Sequence, residues 1–217
     1  MMHYRCVLFD LDGTLLDTGE GIAASFTHAA NRLGLPPLSP DELSACIGPP
    51  LSDSWARLYG LTDDRLDEAV RVFREYYNTV GIFKASVYPG VAEVLETLGG
   101  QGRTLGVATY KREDSAEKIL EHFGLRKQFS CVFGSDPGGE RSKTDIVELC
   151  LRSAGVAERN RAVLVGDSSS DAEAARKAGI AFVGVTYGYG FKCGNAVQTF
   201  PHVAIAGSFE ELPGVLP

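Results

Sequence analysis

The chain has 217 residues, enough to bury a sizeable core in one domain or in one domain carrying a modest insertion. Hydrophobic residues make up 44% of it, and 28 acids against 21 Lys and Arg give a net charge of -7 with no basic block, which excludes polymeric nucleic acid as a partner. No apolar run approaches the length that crosses a bilayer, and a strand begins within a few residues of the start without a charged and hydrophobic leader. The expectation is a soluble, cytoplasmic chain with no membrane contact. The five cysteines, Cys6, Cys46, Cys131, Cys150 and Cys193, are odd in number and lack the paired spacing of zinc sites or disulfide frameworks, so they read as reduced core residues.

Residues 4–9 form an apolar run that reads as a short buried strand. It ends on Asp10, with Asp12 just beyond and Gly13 opening a tight turn, so two acids stand at the mouth of a sheet, where open α/β folds bind ligands. An ordinary strand-to-turn exit is the plainer alternative. Residues 22–33 show helical spacing (Ile22, Phe26, Ala29, Ala30, Leu33) and stop at Gly34; Ser39 followed by Pro40 is a helix start; residues 51–59 and 63–80 continue in the same manner, the latter with Leu66, Val70, Phe73 and Tyr77 on one face. Nothing between Gly19 and Phe83 reads as a strand. After a Tyr-Pro-Gly turn the pattern alternates: helix 91–98, strand 104–109, helix 115–123, strand 131–133, helix 143–154, strand 162–165, helix 171–178 and strand 181–185. Alternation predicts an α/β fold with a parallel sheet. The helices before it predict a small all-helical cap inserted after the first strand, with the core formed by residues 1–18 and 84–217 and the cap by 19–83. Helices simply packed on one face of the sheet are the other reading. The last dozen residues look loosely specified.

Parallel strands align their carboxyl edges, so three further strand ends deliver polar groups in the register of Asp10. The second brings Thr109 with Lys111 behind it, the fourth brings Asp167 and then Asp171 at a helix start, and Lys143 enters from the head of the preceding helix. Taken singly, Thr109 and Asp171 could be helix caps and Lys143 a solvated lysine. Asp167 is badly placed for the core and well placed for a hard cation, which takes carboxylate and carbonyl oxygens. Together the acids make a magnesium site; zinc is disfavoured because His3, His28, His122 and His202 all fall elsewhere. Carboxylates, a cation, a lysine and a hydroxyl suit phosphoryl transfer, with Asp10 as nucleophile and Asp12 protonating the leaving oxygen and then deprotonating the water that opens the acyl phosphate.

These residues, in this order, resemble the haloacid dehalogenase-like superfamily of phosphohydrolases. Asp10, Leu11, Asp12, Gly13, Thr14 and Leu15 look like its first motif, Thr109 the second, Lys143 the third, and Gly166 and Asp167 with Asp171 the fourth. The resemblance implies a Rossmann-like core with a helical cap. It implies Mg2+ held by Asp10, the backbone carbonyl of Asp12, Asp167 and, directly or through water, Asp171, and a phosphate bound by Thr109 and Lys143. Tyr110 departs from the family's pattern, standing where a small residue is frequent, and adjoins the phosphate site, where it bears on substrate shape. The acid at position 12 disfavours a carbon-halogen hydrolase. Segments 47–51, 81–84, 87–91 and 188–190 are similar to the phosphoglycolate phosphatase and 5'-nucleotidase branch, which implies an Mg2+-dependent phosphatase on a small phosphomonoester. A monomer is the expected state. The alternatives are a sugar-phosphate mutase of the same superfamily and a non-catalytic phospho-accepting module.

Overall fold

A computed structural model describes residues 4–216, so His3 lies outside the described residues. The elements are β1 (Cys6–Phe9), β2 (Leu16–Asp17), α1 (Gly19–Arg32), α2 (Pro40–Ser44), α3 (Leu51–Tyr59), α4 (Asp63–Thr79), β3 (Ser86–Val87), α5 (Val91–Gly100), β4 (Thr104–Arg112), α6 (Glu113–His122), β5 (Cys131–Ser135), α7 (Lys143–Ser153), β6 (Ala162–Gly166), α8 (Ser169–Ala178), β7 (Ala181–Val185), α9 (Gly194–Val197), β8 (Ala204–Ala206) and α10 (Leu212–Val215). The chain divides into two compact units, Met1–Leu16 with Val87–Pro217, and Asp17–Ser86.

The larger unit holds a six-stranded sheet of order β5-β4-β1-β6-β7-β8, parallel throughout. Every residue of β1 is buried, as expected of a strand covered on both faces, and Val7 and Leu8 pair with Leu105 and Gly106 on one side and Val163 and Leu164 on the other. From β1 the chain moves outward through β4 and β5, then returns to β6 on the opposite side. The reversal of winding therefore falls at β1, and ligand crevices in open α/β sheets lie at such a reversal, beyond the carboxyl ends of the strands. A small two-stranded sheet pairs β2 with β3.

The smaller unit is helical between Gly19 and Phe83, with no strand there among the described residues. Its core is aromatic. The Phe26 ring centroid lies 4.8 Å from Trp55 and 4.9 Å from Phe73, pairs that add about 0.5–1.5 kcal/mol each beyond the area they bury. Ser39 caps α2 through a reciprocal box with Glu42, with Pro40 in the first turn, as the sequence expects of that Ser-Pro start.

Three details depart from the sequence expectations. Strand β4 runs to Arg112 rather than stopping at Thr109, and its register with β5 slips between Ala108 and Arg112: Ala108 faces Phe133 and Arg112 faces Ser135. Two extra residues on β4 are thus taken up in a bulge that carries Thr109, Tyr110 and Lys111. The final residues are anchored rather than loose. Phe209, Leu212 and Leu216 are buried, and the Arg103 guanidinium donates to the Leu216 carbonyl at 2.8 Å. All five cysteines are free, but Cys193 is exposed whereas the other four are buried. Among the described residues no helix is long and apolar enough to cross a membrane.

Candidate active site

Asp10 follows β1 directly, and its backbone N–H still donates to the Val165 carbonyl of β6 at 2.9 Å, so the residue is tied to the sheet although the strand has ended. The chain then doubles back: Gly13 has φ +82°, a left-handed conformation that a side chain would strain, and its N–H donates to the Leu16 carbonyl at 2.9 Å. Leu15 and Leu16 both donate to the Leu11 carbonyl at 3.0 Å. A turn this tight sets Asp12 close behind Asp10.

Lys143 is the first residue of α7. Ser142 caps that helix in a reciprocal box with Asp145, which aims the lysine stem by fixing the helix start. The ammonium is buried; it donates to Asp10 Oδ1 at 2.7 Å and lies 2.8 Å from Asp171 Oδ1. Asp171 serves two purposes through its two oxygens. Oδ2 accepts from the Ser168 N–H (3.1 Å) and hydroxyl (2.6 Å), closing the cap of α8, while Oδ1 faces Lys143 and, among the described residues, meets no donor in hydrogen-bond geometry. Asp167 follows β6, and its Oδ2 accepts from the backbone N–H groups of Tyr189 at 2.7 Å and Gly190 at 2.9 Å.

Carboxylate oxygens of Asp10, Asp167 and Asp171 all lie within 4.8 Å of one another, and all three residues are buried. Burial pushes the Asp10 carboxyl up most; Lys143 draws it down, Asp171 and Asp167 push it up again, and it settles at about 7. Asp167 is raised to about 6, by burial first and by Asp171 next, against its two backbone donors and Lys143. Burial pulls the Lys143 ammonium down, but Asp10 and Asp171 outweigh it and hold the proton on more tightly than usual. Three buried carboxylates against one ammonium leave an excess of negative charge. That excess fits a hard divalent cation taken by oxygen ligands.

The remaining expected residues cluster around β4. Thr109 is buried, its hydroxyl accepts from the Lys111 N–H at 3.1 Å, and it caps no helix, since α6 starts after Arg112. The Tyr110 ring packs against the core with Phe133 and stands 5.6 Å from Lys143 Nζ. Asp12 is gripped by Lys111 Nζ at 2.9 and 3.0 Å. Direct contacts therefore join Asp10, Lys143 and Asp171, shared proximity adds Asp167, and Lys111 links Asp12 with Thr109.

Two contributors escaped the sequence expectations. One is the partner of Lys111: the sequence sets it behind Thr109, two residues on, and gives no sign that it grips Asp12. The other is the segment 188–190 as the support of Asp167. Gly188 comes so close that a Cβ there would collide with the Gly13 carbonyl and the Asp167 carboxylate. Gly188→Ala is accordingly expected to displace Asp167 and weaken divalent-cation binding by about 10–100-fold, the usual loss when a ligand's support is removed. The check is the cation concentration that half-saturates thermal stabilisation.

Three acids and a lysine gather at the carboxyl edge of a parallel sheet, and the chain belongs to the haloacid dehalogenase-like hydrolase family, whose model matches residues 7–185. It is a phosphoric monoester hydrolase of that family. It is 38% identical over 190 residues to a 5'-nucleotidase of Pseudomonas aeruginosa (87% of this chain, 86% of that one) and 34% identical over 198 residues to a phosphoglycolate phosphatase of Chromobacterium violaceum (87% and 88%). It is also 36% identical over 215 residues to the tyrosine-protein kinase PtkA of Mycobacterium tuberculosis (97% and 73%). Among solved structures, the haloacid dehalogenase-like family protein SP0104 of Streptococcus pneumoniae superposes with a TM-score of 0.91 at 29% identity, covering all of both chains.

Proposed function

We propose that this chain is an Mg2+-dependent phosphatase of a small phosphomonoester, phosphoglycolate or a nucleoside 5'-monophosphate, acting through an aspartyl phosphate on Asp10. The observation that carries the reading is the buried contact of Lys143 with Asp10 and Asp171 beside Asp167, with a second acid, Asp12, two residues beyond the nucleophile. Asp10, Asp167, Asp171 and the Asp12 carbonyl would hold Mg2+, whose charge removes the repulsion between an anionic carboxylate and an anionic ester.

Asp10 attacks phosphorus and the bond to the leaving oxygen breaks, while Asp12 gives that oxygen its proton. Lys143, charged at any working pH, orients the Asp10 carboxylate and faces the charge that gathers on the non-bridging oxygens. The Thr109 hydroxyl holds a phosphate oxygen, and Tyr110 borders the same place. Asp12, now a carboxylate, takes a proton from the water that attacks the acyl phosphate, which frees Asp10 and inorganic phosphate. The two relatives named for hydrolysis of such esters support the choice of substrate.

Phosphate release from nucleoside 5'-monophosphates, phosphoglycolate and hexose phosphates, each with Mg2+ or with EDTA, tests the reading. Release only with Mg2+, greatest on a mononucleotide or on phosphoglycolate, is the expected result. Release that ignores EDTA would overturn the metal, and transfer to a sugar or tyrosyl hydroxyl in place of water would overturn the hydrolase chemistry for a mutase or kinase one.

A further inference from the structure

Lys111 and Asp12 are 99 positions apart and meet in a buried pair: Nζ donates to both carboxylate oxygens, at 2.9 and 3.0 Å, with the side chains only 6% and 9% exposed. Such a pair is unlike a surface salt bridge, which contributes little. Burying an ammonium and ordering a long flexible stem are both costly, so the contact that holds them has to be a good one. The local backbone is arranged around it. The β4 bulge sets Lys111 out of regular pairing with β5, its N–H is taken by the Thr109 hydroxyl at 3.1 Å, and Gly134 comes so close to the Lys111 carbonyl that a Cβ there would collide with it.

Charge explains what the pair is for. Asp10, Asp167 and Asp171 already crowd three carboxyls into a buried cluster whose ammonium, Lys143, is engaged with Asp10 and Asp171. When Asp12 gives up its proton, a further buried carboxylate appears two residues along the chain from Asp10. That charge has a cation of its own in Lys111.

We propose that Lys111 is the positioning residue of the Asp12 proton shuttle, holding the carboxyl in place and stabilising the carboxylate it becomes when the leaving group departs. The inference rests on the acid and base role given to Asp12 above. In the step concerned, the Asp10 oxygen-phosphorus bond forms and the phosphorus-leaving oxygen bond breaks. The proton on Asp12 passes to the leaving oxygen, and the negative charge left on Asp12 faces Lys111 Nζ. In the second half the charge is discharged again as Asp12 takes a proton from water.

A structural lysine and a positioning lysine are told apart by the leaving group. A phenol that is already acidic departs without protonation, whereas an alcohol does not. The experiment therefore compares kcat/KM, which reports on steps up to the phospho-enzyme, for p-nitrophenyl phosphate and n-butyl phosphate in the wild type, K111M, K111R and D12N, with folding followed by circular dichroism. K111M is expected to lose about 10-fold or more beyond its loss on the aryl ester when given the alkyl ester, and D12N to show the same selectivity at about 10²-fold or more, within the range of general acid catalysis. K111R, which restores a charged two-pronged donor, is expected to recover most of the alkyl activity. Equal loss on both esters in K111M alongside a selective D12N would overturn the role of Lys111 alone. An unselective D12N would overturn the role of Asp12, and this inference with it. Should K111M not fold, K111Q takes its place in the same comparison.

Discussion

Asp10→Asn is expected to lose turnover by about 10⁴-fold or more while staying folded, because the amide cannot form the covalent intermediate. The fold survives for an electrostatic reason. Asp10 is one of three buried carboxyls facing one ammonium, and Lys143 keeps Asp171 as a partner when Asp10 is neutralised. In metal-free buffer at pH 7.5 the variant should melt at or above the wild-type temperature. The sign follows from the raised carboxyls. Asp10 at about 7 and Asp167 at about 6 hold protons in the folded chain that the unfolded chain has already released, so their ionisation erodes stability as pH rises from about 4 to about 7. Removing one of them removes part of that loss. Mg2+ should raise the wild-type melting temperature more at pH 7.5 than at pH 5.5, and raise that of the variant less. A variant that melts well below the wild type at pH 7.5 without metal would contradict this account of the cluster.

Lys143→Met is expected to be the more damaging change for the protein as a whole. It leaves Asp10, Asp167 and Asp171 buried without the cation that contacts two of them, and breaking such a buried pair costs about 3–5 kcal/mol. Turnover should fall by about 10²–10³-fold as well, the usual cost of removing one preorganised charge from the reacting group. The loss of stability depends on pH in a defined direction. Without the ammonium Asp10 and Asp167 are pushed further up, so the penalty is largest above about pH 7 and shrinks towards pH 4–5, where both carry protons in the folded wild type and the folded variant alike. Denaturant melts at pH 5 and pH 8 measure it; a deficit that is equal at both values would show that Lys143 acts through packing rather than charge.

Much of this site was readable in the chain because the signals were local. An apolar run that stops on Asp10 names both a strand and what lies at its end, and repetition of that pattern brought Thr109, Asp167 and Asp171 to the same edge of one sheet. Asp171 shows where such reading halts. A helix cap and a cluster member were competing explanations in sequence, yet the residue is both, one through each carboxylate oxygen. The anchored C-terminus was missed for a different reason: Phe209, Leu212 and Leu216 keep helical spacing, but Pro213 and Gly214 break the run into one short turn and a four-residue helix, and Arg103, which holds one of them, is more than a hundred positions away.

The order of residues in this chain was enough to determine an α/β core, the alternation of its elements and the acids and lysine that its strand and helix ends present, since periodicity and turn chemistry act over a few residues. Tertiary structure alone decided the slip of β4 against β5, the grip of Lys111 on Asp12 and the seating of Asp167 on the backbone of Tyr189 and Gly190. Register and the pairing of buried charges are settled by packing between segments far apart in the chain, where no short pattern records the outcome.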